Sequence, residues 1–302
     1  MKNICVIGSL NMDLVVNVEN MPKIGQTLIG SNFKEVPGGK GANQAVAMAR
    51  LNGNVSMIGK VGNDSFGQTL INALKNDNVN TKYIQVEKGA SGVALITVDK
   101  NANNSIVVAP GANFKLTNND IDNNIEAIQN SDIVVVQLET PLDTIKYSLK
   151  KAKELGKYTI LNPAPAVVLE DEIIANVDLL TPNETELEII SGIQINKEED
   201  IKVAAKKMIE KGVKELIVTL GSKGSLYINS EKSNFVSAYK VQAVDTTAAG
   251  DSYTGALSVA LANNKNIEQA MDFASKVGAL SVMKEGAQSS LPTLEDVQNF
   301  KA

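Results

Sequence analysis

The chain has 302 residues, 43% of them hydrophobic and 21% charged, with a formal net charge of −5 at pH 7. That is the make-up of an ordinary soluble globular protein, long enough for one large α/β domain or two smaller ones, and its acidic balance argues against a nucleic-acid binder. Histidine is absent and cysteine occurs once, at Cys5, which removes Ser-His-Asp catalysis, histidine-ligated metals, disulfides and cysteine-zinc sites, and leaves carboxylate, lysine or tyrosine for general-base work.

The chain opens on the strand pattern Ile4-Cys5-Val6-Ile7, ended by Gly8. Cys5 reads there as a small buried hydrophobe. No charged leader precedes an apolar segment, and no stretch approaches the roughly 20 apolar residues that span a bilayer, so a cytoplasmic protein that meets no membrane is expected. Ser9, Asn11 and Asp13 follow the strand at once. Polar side chains outside the carboxyl end of a strand are where α/β folds bind ligands, although a solvated loop explains them almost as well. Residues 12–36 carry strand character without an intervening helix.

Pro37-Gly-Gly-Lys-Gly-Ala-Asn-Gln44 precedes an alanine-rich helical pattern that runs to about Arg50. Its amides and the side chains of Lys40 and Asn43 can face one ligand, or the glycines can simply make a tight turn into a closely packed helix. The segment is not a P-loop, because Gly41 stands where the magnesium-binding hydroxyl should be. Nor is Val6-Ile-Gly-Ser-Leu10 a dinucleotide fingerprint, having one glycine where three are wanted. Further on, Val93–Val98 and Ser105–Ala109 flank Asp99-Lys-Asn-Ala-Asn-Asn104, whose turn chemistry predicts a hairpin. Together, 12–36 and 91–109 read as small antiparallel strands inserted into a parallel core, a candidate lid.

Asp132–Leu138 has the continuous apolar middle of a strand covered on both faces, with Glu139 at its end. Asn183 and Glu186, in Thr181-Pro-Asn-Glu-Thr-Glu186, fit either a ligand loop or plain helix-start chemistry. The spacing of Ile201, Ala204, Ala205, Met208 and Ile209 predicts a helix from Lys197 to Gly212, feeding a strand at Glu215–Leu220. Thr219-Leu-Gly-Ser-Lys-Gly224 then suits either a backbone approaching a nucleotide or a hairpin turn. Strands alternating with helices over most of the length predict an α/β fold with a mainly parallel sheet.

The stretch Val244-Asp-Thr-Thr-Ala-Ala-Gly-Asp-Ser-Tyr-Thr-Gly-Ala-Leu257 places bare backbone just before a helical pattern. The first amides of a helix lack intrahelical partners and the dipole is positive there, so Ala248, Ala249 and Gly250 form an anion site. Asp251 inside it is self-defeating unless the carboxylate acts on something the anion site holds.

These motifs resemble the ribokinase-type carbohydrate kinases from Gly8 to about Pro292. The landmarks appear in family order: Gly8-Ser-Leu-Asn-Met-Asp13, the 37–44 glycine motif, Gln137-Leu-Glu139, Asn162-Pro-Ala-Pro165, Thr181-Pro-Asn-Glu184, Thr219-Leu-Gly221, Asp245-Thr-Thr-Ala-Ala-Gly-Asp251 and Gly286-Ala-Gln-Ser-Ser-Leu-Pro292. The resemblance implies one domain over 1–302, a three-layer α/β fold with a mainly parallel central sheet and a small β lid that covers the sugar and commonly makes a homodimer. It implies transfer of the ATP γ-phosphoryl group to the 5-hydroxyl of D-ribose, with Mg²⁺ accompanying ATP and K⁺ as an activating cation.

By position, Asn11, Asp13, Gly39, Lys40, Asn43 and Glu139 would hold the sugar, and Asp251 would be the catalytic base beside an anion hole of amides from Ala248, Ala249, Gly250 and Asp251. Asn183, Thr219, Gly221, Ser222, Gly224, Gly250 and Ser275 would meet the nucleotide, Glu186 would organise magnesium through water, and Asp245, Thr247, Ser281, Lys284, Gly286 and Ser290 would offer largely backbone oxygens to potassium. Ser275 departs from the larger polar residue common near the adenine, and Ser252-Tyr-Thr254 from the commoner Thr-Phe-Asn. Kinases for deoxyribose, fructose or a nucleoside, and a non-catalytic sugar binder, are the alternatives on this fold.

Overall fold

The structure, a computed structural model, describes residues 2–101 and 103–301. Its strands in chain order are β1 (Asn3–Ile7), β2 (Asn11–Val18), β3 (Ser31–Gly38), β4 (Asn54–Gly62), β5 (Ile84–Glu87), β6 (Gly92–Asp99), β7 (Asn104–Ala109), β8 (Ile133–Val136), β9 (Tyr158–Leu161), β10 (Leu179–Leu180), β11 (Glu215–Thr219), β12 (Gly224–Asn229) and β13 (Ser233–Ser237). Nine of them form one sheet in the order β13-β12-β11-β10-β9-β8-β1-β4-β5. It is parallel from β11 to β5 and antiparallel only at the β11-β12-β13 edge.

Alternation along the central strands divides the core into two layers. Ile4, Val6, Ile133 and Val135 pack beneath the helices Lys40–Arg50, Ala249–Ala262 and Ile267–Ser281. Cys5, Ile7, Val134 and Val136 point the other way, toward the helices Leu142–Glu154, Glu184–Ser191 and Glu198–Glu210. This is why β8 is buried at all four positions and reads as an unbroken apolar run. The predicted helix ends near Glu210, with Ile201, Ala204, Ala205 and Met208 buried and Ile209 at the margin.

From β1 the chain builds outward to β4 and β5, then crosses back to build β8, β9, β10 and β11 on the opposite side. Strand order therefore reverses between β1 and β8. The segments leaving their carboxyl ends diverge there, which opens the crevice where α/β sheets bind ligands.

The remaining four strands form a small sheet in the order β3-β2-β6-β7. β6 and β7 make the expected hairpin, with Leu95 opposite Val107 and Ile96 opposite Ile106. The Asp99 carboxylate shapes its turn by accepting the Asn101 and Asn103 amides. The sheet is not wholly antiparallel: its two hairpins join through β2 and β6, which run parallel from Asn11 opposite Gly92 to Val18 opposite Asp99. Both strands start from buried residues at the body of the protein and run outward from it, so they share a direction. No helix among the described residues is long and apolar enough to cross a membrane.

Candidate active site

The site begins where the helix Lys40–Arg50 presses onto the end of β1. Gly39 has φ 91°, and a Cβ there would fall 2.7 Å from the Asn11 amide nitrogen; one at Gly41 would fall 2.6 Å from that of Ser9. Bare backbone permits this approach, sealed by the Ala42 amide donating to the Ser9 carbonyl at 2.9 Å. The packing reading of the glycines thus holds at Gly39 and Gly41.

Glu139 organises one wall. Its Oε2 accepts the Ser9 hydroxyl at 2.5 Å, the Lys40 amide at 3.0 Å and the Asn11 side-chain amide at 3.5 Å. Asn11 is 3% exposed, and its Oδ1 accepts from Asn113, which also clamps the Leu10 backbone through both its amide and its carbonyl. Asp13, half-buried on β2, has its carboxyl pushed up to about 7 by burial and by the Glu139 and Asp251 charges, against the pull of Lys40. The Lys40 ammonium is held above its ordinary range chiefly by Asp251, against its own burial, with help from Glu139, Glu186 and Asp13. One lysine thus faces four carboxylates, an arrangement rich in acceptors for hydroxyl donors.

Asp251, 6% exposed, sits in the first turn of Ala249–Ala262. Its Oδ2 accepts from Asn43 Nδ2 and its Oδ1 from Gln44 Nε2, both at 3.0 Å. Ala248 caps the helix in the left-handed region at φ 57°. The Ala249 amide, expected in the anion hole, is instead engaged with the Thr246 carbonyl at 3.2 Å. Gly250 and Asp251 keep amides with no backbone acceptor among the described residues. These residues line a crevice of about 200 Å³ that also reaches Lys40, Asn183, Glu186 and Thr219.

Asn183 and Glu186 do form helix-start chemistry: each accepts the other's amide in a capping box, at 2.8 and 2.9 Å. Both still line the crevice, and burial raises Glu186 despite its bond from the Asn183 amide and the nearby Lys40 charge. Residues 219–224 make the hairpin turn from β11 into β12. Gly221 and Ser222 lie exposed at the turn, while Gly224, at φ 128°, allows β12 to approach β13. Thr219 reaches the crevice; Ser275 is 7% exposed within Ile267–Ser281 and is not part of its lining.

The potassium candidates gather at the corner where the Val244 and Asp245 amides donate to the Val282 carbonyl. Asp245 accepts the Thr247 amide and hydroxyl through Oδ1 and the Gly286 amide through Oδ2. Burial works to raise its carboxyl, but those bonds more than offset it and hold it below the usual range. The Ser281 and Ser290 hydroxyls donate to the Gly278 and Ala287 carbonyls, and the exposed Lys284 brings a cationic side chain, so Lys284 has only its backbone carbonyl to offer. An ionised carboxylate among hydroxyls and carbonyls has the donor chemistry of a monovalent-cation site. No group of three or more acidic or cysteine side chains among the described residues forms a dedicated divalent site. Glu186, which lines the crevice, is a single carboxylate of the kind that suits a magnesium ion carried by phosphate oxygens.

Sequence reasoning missed Gln44, Asn113 and Asn162 as parts of the site. Gln44 and Asn162 stood inside the quoted motifs, but a motif does not tell an amide that orients another side chain from one that meets a ligand until its contacts are known.

A model described as pfkB family carbohydrate kinase matches residues 1–294. The chain is 41% identical over 300 residues to a ribokinase of Haemophilus influenzae, covering 99% of this chain and 98% of the relative. It is 40% identical over 300 residues to a deoxyribokinase of Salmonella typhimurium, with the same coverage. Among solved structures, Arabidopsis thaliana ribokinase complexed with ribose and ATP superposes with a TM-score of 0.93 at 32% identity, covering 99% of each chain.

Proposed function

The chain belongs to the pfkB family of carbohydrate kinases, and on that premise we propose that it transfers the γ-phosphoryl group of ATP to the 5-hydroxyl of D-ribose. The observation that carries the reading is Asp251: a buried carboxylate, gripped by Asn43 and Gln44, in the first turn of a helix whose Gly250 and Asp251 amides have no backbone acceptor. Phosphoryl transfer needs alignment, stabilisation of charge on the equatorial oxygens and a group that takes the hydroxyl proton. The helix start supplies an anion cradle, and Asp251, beside it, accepts the proton as the hydroxyl oxygen attacks.

Sugar hydroxyls donate to Asp13 and Glu139 and to Asn43 Oδ1, which is buried without a hydrogen-bond partner. Lys40 stays an ammonium and balances these acids. Nucleotide phosphates lie against the 248–251 turn, Asn183 and Thr219, with the base near residues 219–224. Magnesium held with the phosphates by Glu186, and potassium at Asp245, Thr247 and the carbonyls of 281–290, would supply positive charge beside the transferring group.

Ribose draws support from the ribokinase relatives and from the acceptor-rich wall. The deoxyribokinase relative supports the second reading, a deoxyribose kinase. A cytoplasmic location follows from ATP as co-substrate. The test is Mg-ATP-dependent ADP release with D-ribose, 2-deoxyribose, fructose and adenosine, each with K⁺ or an inert cation. We expect ribose to be preferred and K⁺ to activate. Preference for another acceptor would reassign the sugar contacts, and no turnover on any would overturn the reading.

A further inference from the structure

Gln44 is fully buried, and its amide is committed at every position. Its Nε2 donates to Asp251 Oδ1 and to Asn162 Oδ1, both at 3.0 Å, and its Oε1 accepts from Gln137 Nε2 at 2.7 Å. Asn162 in turn donates to the Thr181 carbonyl at 3.0 Å. The direction of this chain is chemically forced. An ionised carboxylate and a backbone carbonyl can only accept, so Asn162 must turn its nitrogen to Thr181 and its oxygen to Gln44, and Gln44 must turn its nitrogen to Asp251 and Asn162. That leaves Gln44 Oε1 facing Gln137, which has to present its nitrogen and whose own Oε1 is left buried without a partner.

Three side chains from three separate segments, anchored on the Thr181 carbonyl, therefore fix one carboxylate oxygen. The other oxygen is held by Asn43, whose Oδ1 is buried with no hydrogen-bond partner among the described residues. Asn43 is shared, on the proposed reading, between the sugar and Asp251; Gln44 is fully buried, and of the residues assigned to the chemistry it touches Asp251 alone. Without it, the carboxylate would be free to turn toward the Lys40 ammonium, whose field it shares.

We propose that Gln44 is a positioning residue, the last link of a Gln137-Gln44-Asn162 relay that locks the Asp251 carboxylate in line with the reacting hydroxyl. The proposal rests on Asp251 as the base. Gln44→Met keeps the side chain's length and removes its donors and acceptor. Misplacing a catalytic group is costly, so kcat should fall at least about tenfold while the sugar KM stays within about threefold. Because the residue acts through Asp251, the same change in an Asp251→Asn background should cost less than about twofold. Gln137→Met, one link further from the chemistry, should show a smaller loss of the same kind, and carries the test should Gln44→Met not fold. Unchanged kcat in the folded variants, or a loss repeated in full in the Asp251→Asn background, would overturn the proposal. Asp251→Asn alone should lose at least about 10²-fold in kcat, as expected for a general base; undiminished turnover would overturn the base assignment and this proposal with it.

Discussion

Asp13 shows what the site costs the empty protein. An isolated aspartate titrates near about 3.9, whereas burial and the charges of Glu139 and Asp251, opposed by Lys40, push Asp13 up to about 7. The native state thus holds a proton that the unfolded chain releases between those values. The resulting contribution to stability is complete below the unfolded value and is lost as pH rises toward 7. Asp13→Asn cannot ionise, so its melting temperature relative to the parent, without ligand, should be higher at pH 8 than at pH 5. Sugar affinity should run the opposite way in the parent and tighten from pH 6 to 8, because only the ionised carboxylate accepts freely from hydroxyls. Paired thermal melts and sugar titrations at these pH values check both signs. Cys5, by contrast, is as inert as its apolar run implied: burial pushes its thiol up to about 12.

Among the elements, the helix Lys40–Arg50 and the turn before it do the most for the site. They bring Lys40, Asn43 and Gln44 to one corner because residues 8–11 can lie against backbone without side chains. Gly39→Ala should fail twice, through a positive φ that an L residue adopts only with strain and through a Cβ 2.7 Å from the Asn11 nitrogen. We expect a loss of about 3 kcal/mol in urea unfolding and a sugar affinity weakened about tenfold or more as Asn11 and Lys40 move apart. Wild-type stability in that variant would show that the turn is free to relax and does not brace the site. The helix Ala249–Ala262 works differently: from Asp251 onward it is buried on nearly every side, and its start carries no side-chain cap.

For the whole molecule, the small sheet raises the question of assembly. Phe33, Leu95 and Val107 are each more than half exposed, with Leu95 and Val107 paired on one face of the sheet, and β7 is an edge strand among the described residues. We propose a second copy of the chain as the cover. Sedimentation velocity should find a dimer for the parent and a monomer for Val107→Lys, which places a charge on that face beside the edge; a monomeric parent would refute the pairing. Determined by the sequence alone were the α/β alternation, the hairpin across Asp99–Asn104, the glycine turn at 37–44 and the acid inside the helix start at 248–251. Each depends on chemistry within a few residues: apolar period, turn propensity, backbone freedom and unpaired amides. Only the tertiary structure decided that residues 44, 137, 162 and 251 share one polar network and that β2 and β6 run parallel.

 Those outcomes depend on strand order and on which segments, far apart in the chain, meet in space. No local pattern carries that information, because burial and long-range contact exist only once the sheet has assembled.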